Sequence, residues 1–223
     1  MIAILALFQR RTREPWWPLA VIVTIAFVYT PPWDNWLVAN EVWTYPPGAV
    51  LFTIGYVPVE EYAFFVLQTV MTGLWLRILQ SKMEPTGELG SSRTRTIGLA
   101  VFGAITAAGV ACLVVGGHWL YMGLIVAWAG PILAMMWAIG GHLLWARRKV
   151  LALAILPPTV YLWAADWTAI RIGIWDISAA TKTGVDLVPG LPIEEALFFL
   201  VTNMMVAQGL VMLERASIPE TLG

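Results

Sequence analysis

The sequence predicts an all-α fold, a polytopic transmembrane bundle of six to seven helices. Of its 223 residues, 59% are hydrophobic and only 12% are charged, whereas soluble domains carry about 25% charged residues. Six apolar stretches approach or reach the length of roughly 20 residues that a membrane-crossing helix needs. Strand-like alternation is absent, and in lipid only helices or closed barrels satisfy the backbone.

The predicted spans follow one another with short connectors. We expect them near 15–33, 55–79, 96–116, 118–145, 150–166 and 191–213. Pro131 and the pair Pro157–Pro158 fall inside spans, where proline should kink a helix. His118 and His142 stand at opposite ends of one span, so this helix alone does not hold a shared metal ion, and no metal site is expected. Cys112 is the single cysteine, which excludes an intramolecular disulfide.

Positive charge is concentrated in alternate connectors. The basic residues there are Arg10, Arg11, Arg13, Lys82, Arg93, Arg95, Arg147, Arg148, Lys149 and Arg215. The positive-inside rule places those connectors in the cytoplasm and the segments 34–56 and 167–190 on the opposite side. We therefore expect a multi-pass protein of a bacterial or archaeal cell membrane, with its acidic motifs near the extracytoplasmic side. No extended basic face for nucleic acid is present.

The chain repeats itself internally. Asp34 and Trp43 recur as Asp166 and Trp175, 132 residues later. The motif Pro58–Glu61 recurs 134 residues later as Pro192-Ile193-Glu194-Glu195, and Phe64-Phe65 recurs as Phe198-Phe199. We expect one membrane domain, 1–223, with two parallel three-helix repeats at 1–80 and 118–215 and a connector helix at 96–116.

This scheme requires a further helix before the cluster Arg10–Arg13, matching the helix before Arg147–Lys149. Only about nine residues precede the cluster, too few to cross a bilayer. An abbreviated helix and a truncated chain start are both open at this point.

The acids of the repeats are the first candidates for chemistry, because ionisable groups near hydrocarbon are costly and usually functional. They are Glu60, Glu61, Glu194, Glu195, Asp34 and Asp166. A structural alternative is that proline and carboxylates simply suit the first turn of a helix. For the aspartates, the alternative is an exposed loop position.

Helical spacing separates the two glutamates of each pair. From Glu61 a polar stripe runs through Gln68, Thr69 and Thr72, and from Glu195 a similar stripe reaches Asn203. Because polar groups avoid lipid, these two faces should point into the bundle. The alternative is that the stripes only form hydrogen bonds between helices.

Aromatic residues surround the acids. Most of the 13 tryptophans are expected in the interfacial belts, but those beside the acids are also suited to stabilise a carbocation by cation–π attraction. The candidate substrate-binding residues are Trp33, Trp43, Phe65, Gln68, Trp175, Phe199 and Asn203. Dinucleotide fingerprints, phosphate loops and magnesium–diphosphate motifs are absent, which argues against flavin, nicotinamide and diphosphate ionisation.

At these motifs the chain resembles the lycopene cyclase domain family, whose members are membrane-embedded and occur as paired small subunits or as fused chains. The resemblance is carried by Tyr29–Asn35, Ile54–Thr69, Gly190–Phe199 and Asn203. It implies a fused β-cyclase that converts lycopene to γ-carotene and then β-carotene, without flavin or any other cofactor. The implied partner is the carotenoid in the bilayer. Association with other carotenoid-pathway enzymes and homo-oligomerisation are open.

The residues fit an acid mechanism. A carboxylic acid among the four glutamates protonates a terminal double bond, an internal double bond closes the ring, and a carboxylate removes a proton. That carboxylate is the partner glutamate, Asp34 or Asp166. The alternatives are a membrane cyclase for another prenyl chain and a non-catalytic carotenoid carrier or scaffold.

Overall fold

Six α-helices dominate the computed structural model, which describes residues 15–83 and 90–216. They are α1 (Trp17–Ala39), α2 (Val59–Gln80), α3 (Ser92–Val115), α4 (Leu120–Ala146), α5 (Arg148–Arg171) and α6 (Ile193–Ala216), with a 3-10 turn at Gly117–Trp119 before α4. Five of them, α2 to α6, are long and apolar enough to cross a membrane. The predicted all-α membrane fold is confirmed.

Short strands connect the helices at one end of the bundle. They are β1 (Trp43–Thr44), β2 (Thr53–Ile54), β3 (Val57–Pro58), β4 (Asp176–Ile177), β5 (Asp186–Val188) and β6 (Leu191–Pro192). β2 and β3 form a hairpin before α2, and β5 and β6 form one before α6. β1 pairs with β4, which joins the connectors of the two halves.

The element order is the same on both sides of α3 and α4: a helix, a short strand, a hairpin and a second helix. The proposed N-terminal helix and the cluster Arg10–Arg13 lie outside the described residues. The repeat boundaries therefore stay a prediction.

The predicted end of the first span at residue 33 was wrong, because α1 continues to Ala39. Pro31 and Pro32 lie inside the helix without ending it. The Asn35 side chain donates to the Pro31 carbonyl at 2.8 Å, which helps to satisfy the backbone where the prolines lack N–H groups. α5 likewise runs through Pro157 and Pro158.

α6 lies at the centre of the bundle, in contact with α1, α2, α4 and α5, whereas α3 packs along α4. The close contact of α3 and α4 depends on glycine: a Cβ at Gly109 would lie 2.8 Å from the backbone nitrogen of Ala127. At the end away from the hairpins, buried Arg77 of α2 donates to Glu214 of α6 at 2.7 Å. These contacts fix α2 and α6, the two helices that begin with glutamate pairs.

Candidate active site

Each glutamate pair is positioned by the hairpin before its helix. Gly55 and Gly190 take positive φ angles of 69° and 92° in the two turns, a conformation that suits glycine. The Tyr56 N–H donates to the Asn35 side chain at 2.8 Å, and the Gly190 N–H donates to Asp186 at 2.8 Å. The bond to Asn35 attaches the first hairpin to α1, one residue after Asp34.

The carboxyls of both halves converge on one cavity of about 190 Å³, which we call the chamber. Ten residues line it: Trp43, Tyr45, Glu60, Glu61, Phe64, Asp166, Trp175, Glu195, Phe198 and Phe199. Since this lining contains Glu60 and Glu61 of one half and Glu195 of the other, the two halves share one site. Its walls are mainly aromatic, and its polar groups are mainly carboxyls.

A tyrosine donates a hydrogen bond to the second glutamate of each pair. Tyr121, fully buried at the start of α4, donates to Glu195 at 2.5 Å. Tyr45, in the connector after β1, donates to Glu61 at 3.4 Å. Burial and then the neighbouring Glu61 carboxyl raise the pKa of Tyr45 well above its usual value, so Tyr45 stays protonated as a donor. The hydrogen bond to Glu195 is the shorter of the two and therefore the stronger.

Asp34 and Asp166 are both buried, and Asp166 lines the chamber together with the glutamates. Asp34 interacts electrostatically with Glu61 and Glu195, and Asp166 interacts with the same two groups. Both oxygens of each aspartate are buried and find no hydrogen-bond partner among the residues that the structure describes. The alternative of exposed loop acids is therefore excluded. Among the described residues, no group of three or more His, Cys, Asp or Glu side chains is arranged to hold a metal ion.

The first glutamate of each pair contacts the connector of its own half. Glu60 is exposed and accepts the Leu51 N–H at 2.8 Å, and Glu194 accepts the Thr183 N–H at 2.6 Å. Glu194 is nevertheless fully buried. The predicted inward orientation of the Glu195 face agrees with the burial of Glu195, Phe199 and Asn203. The Glu194 face is buried as well, because other helices surround this central helix. On the more peripheral α2, Leu67 on the Glu60 face is 53% exposed.

A second cavity of about 680 Å³, which we call the groove, runs from the chamber between α2 and α5. It shares four residues with the chamber: Phe64, Asp166, Trp175 and Phe199. Its remaining lining is largely apolar and consists of Leu67, Gln68, Met71, Tyr161, Leu162, Ala165 and Ala169. The chamber is thus the polar end of a combined cavity, and the groove is its apolar extension.

The predicted substrate-binding residues occupy different places. Trp43, Trp175 and Phe199 line the chamber, and Gln68 lines the groove. Three others are absent from both linings: Trp33, Phe65 and Asn203. Phe65 is buried against its neighbouring rings, and Trp33 stacks on Trp128 and Phe198.

Asn203 forms the centre of a buried hydrogen-bond network. Its side-chain oxygen accepts from Gln68 at 2.9 Å and from Thr72 at 2.6 Å. Its amide nitrogen donates to Thr159 of α5 at 3.0 Å. The polar stripes therefore connect α2, α5 and α6, as the helix-packing alternative predicts, while Gln68 also reaches the groove.

Sequence reasoning missed the two tyrosines. Tyr45 aligns with Ile177 in the internal repeat, and the position that would match Tyr121 lies before the first residue of this sequence. Neither tyrosine therefore shows the duplication that marked the acids. A weak signal was available, since Tyr45 follows Trp43 by two residues in the same connector.

Comparison with known proteins supports this picture. The chain is similar to the lycopene beta-cyclase of Halobacterium salinarum, with 42% identity over 194 residues, 87% of this chain and 81% of that protein. It is also similar to the bifunctional lycopene cyclase/phytoene synthases of Aspergillus oryzae (38% identity, 92% of this chain) and Gibberella fujikuroi (41% identity, 86% of this chain). It spans 36% and 34% of those fungal proteins. No family model and no solved structure matches.

Proposed function

Because this chain belongs to the lycopene cyclase family, we propose that it is a lycopene β-cyclase that closes the linear ends of lycopene into β-ionone rings without redox chemistry. The observation that carries the proposal is the chamber. Glu61, Asp166 and Glu195 meet there between aromatic walls, at the end of an apolar groove. A proton-initiated cyclisation of a hydrocarbon needs this combination of acid, base and dry surroundings.

The reaction is an isomerisation in which one proton is added and one is lost. A carboxylic acid protonates the terminal trisubstituted double bond and leaves a tertiary cation. The electron pair of the nearby internal double bond attacks that cation and closes a six-membered ring, which moves the positive charge into the ring. A carboxylate then removes the proton from the ring carbon that formed the new C–C bond, next to the cationic carbon, and the C–H electron pair forms the double bond of the ring.

We assign the two proton transfers to Glu61 and Glu195. Both line the chamber, and each is held by a tyrosine hydroxyl. Their electrostatic contact with Asp34 and Asp166 means that the four carboxyls cannot all be ionised in an apolar cavity. The cluster therefore retains protons, so one glutamate acts as the acid while the other accepts the ring proton. Asp34 and Asp166 are close enough to exchange protons with them.

Aromatic rings protect the cation. Trp43, Trp175 and Phe198 line the chamber beside the carboxyls. Their faces attract positive charge, and their bulk keeps water away, since capture of the cation by water would give an alcohol.

We place the chamber toward the extracytoplasmic side. The support is the charge pattern, in which Arg147, Arg148 and Lys149 lie at the opposite end of α5 from Asp166. Under the positive-inside rule, the ends carrying the basic residues face the cytoplasm. The carotenoid substrate then reaches the site from within the bilayer.

The test is pigment chromatography from a bacterial host that accumulates lycopene and expresses this chain. We expect γ- and β-carotene with the wild-type protein, and a loss of roughly a hundredfold or more in Glu61→Gln and Glu195→Gln, because general acid–base groups contribute about 10²–10⁴-fold. The carboxamides keep the size of the side chains but cannot exchange the proton.

Glu41→Gln is the matched control, since Glu41 is exposed in the connector after α1 and lies outside the chamber lining. It should convert lycopene at the wild-type level. Unchanged lycopene from a well-expressed wild type would overturn the substrate assignment and point to another prenyl chain. Full conversion by both carboxamide variants would overturn the acid mechanism.

A further inference from the structure

The two halves of the site are not equivalent around the chamber. In the internal repeat, Trp33 precedes Asp34 and Ala165 precedes Asp166. The two positions therefore correspond, on α1 and α5, but one carries the largest side chain and the other one of the smallest. Ala165 lines the groove between α2 and α5.

Trp33 fills the corresponding space between α1 and α6. Its ring stacks on Phe198 at 5.7 Å between centroids and on Trp128 of α4 at 4.8 Å. It also meets the ring of Trp43 edge to face at 6.0 Å, and its indole N–H donates to the Leu124 carbonyl at 3.3 Å. Four aromatic rings thus pack together at Trp33, and two of them, Trp43 and Phe198, belong to the chamber wall.

The same asymmetry extends to the flanking aromatic positions. Tyr29 donates to the Trp128 carbonyl at 3.0 Å and stacks on its ring, whereas its counterpart Tyr161 lines the groove. Trp43 is buried against Tyr121, whereas its counterpart Trp175 lines both chamber and groove. Tyr29, Trp33 and Trp128 also border a cavity of about 610 Å³, but that cavity shares no lining residue with the chamber. The groove on the Ala165 side shares four.

We propose that the unreacted polyene chain lies in the groove between α2 and α5, past Ala165, while its end group occupies the chamber, and that Trp33 excludes it from the corresponding path between α1 and α6. This rests on the proposed function for the identity of the substrate. The chamber, at about 190 Å³, accommodates an end group and not a whole carotenoid, so the rest of the molecule needs a continuous apolar path. The groove provides one, because it shares four lining residues with the chamber.

Ala165 is then a specificity-determining residue, because its small side chain keeps the path open. We expect conversion of lycopene to fall with side-chain size in the series Ala165→Ser, Ala165→Leu and Ala165→Trp, with a loss of roughly tenfold or more for tryptophan, since misplacing a substrate by about 1 Å can cost 10²-fold. Val160→Trp is the matched control, since it adds the same ring to the same helix outside the groove lining. It should retain wild-type conversion. Wild-type conversion by Ala165→Trp would overturn the proposal.

A binding measurement separates this inference from the cyclase assignment and from misfolding. Cys112 is the single cysteine of the chain, so Cys112→Ser provides a background for Ala165→Cys and Val160→Cys. In lipid vesicles, lycopene should slow the reaction of N-ethylmaleimide with Ala165→Cys by roughly tenfold relative to vesicles without it, and leave Val160→Cys unchanged. Protection without ring formation would support the groove while refuting the cyclase function. Equal labelling of Ala165→Cys with and without lycopene, in a protein that forms rings, would refute the groove alone.

Discussion

At the scale of single residues, some side chains of the site could be predicted from the sequence and others could not. Glu61, Glu195 and Asp166 could be predicted because each belongs to a duplicated motif. Tyr121 could not, because its contact with Glu195 joins residues 74 positions apart without leaving any local pattern. The burial of Glu194 could not be predicted for a related reason, since helical periodicity does not show that other helices surround α6.

The tyrosines give a residue-scale prediction. Tyr121→Phe removes the 2.5 Å hydrogen bond to Glu195, so the ionised form of that glutamate loses a donor. We expect a roughly tenfold to hundredfold lower cyclisation rate, with a smaller loss for Tyr45→Phe because its bond to Glu61 is 3.4 Å long. The measurement is the initial rate of ring formation in lipid vesicles. Tyr56→Phe, at an exposed position, is the control, and an equal loss in both site variants would contradict this ranking.

At the scale of elements, the sequence predicted the number and approximate positions of the helices, because apolar length is a local property. It did not predict how far α1 extends, since Pro31 and Pro32 normally end a helix in water. It left open whether the polar stripes face substrate or neighbouring helices. The structure places Asn203 in the second role, between Gln68, Thr72 and Thr159.

Asn203 supplies the element-scale prediction. Asn203→Ala leaves Gln68 and Thr72 without their shared acceptor inside the bundle, and an unsatisfied buried polar group costs about 1–3 kcal/mol. We expect the free energy of unfolding in detergent micelles to fall by about that amount, measured by denaturant titration. Thr202→Ala is the control, because its hydroxyl bonds only carbonyls of its own helix. If Thr202→Ala destabilises the protein as much, the network does not hold the helices together.

At the scale of the whole molecule, the internal repeat predicted two similar halves but not how they combine. Repetition alone is compatible with one site in each half or with one shared site. The structure brings Glu60 and Glu61 of one half and Glu195 of the other to one chamber, and it joins the connectors through β1 and β4. The halves differ at Trp33 and Ala165, and the sequence alone does not show what this difference does. In the structure Ala165 lines the groove, whereas Trp33 packs against Trp43 and Phe198 of the chamber wall.

A shared chamber predicts that neither half works alone. If the gene is divided in the polar connector between α2 and α3, the first fragment carries Glu61 and Tyr45, and the second carries Glu195, Tyr121 and Asp166. We expect lycopene to be converted only when both fragments are present in one membrane, because α6 packs against α1 and α2 and β1 pairs with β4, contacts that can form between separate chains. Pigment chromatography of hosts expressing either fragment or both provides the measurement, with the undivided chain as the reference. Ring formation by one fragment alone would show that a half contains a complete site, and the shared chamber would then not be the catalytic unit.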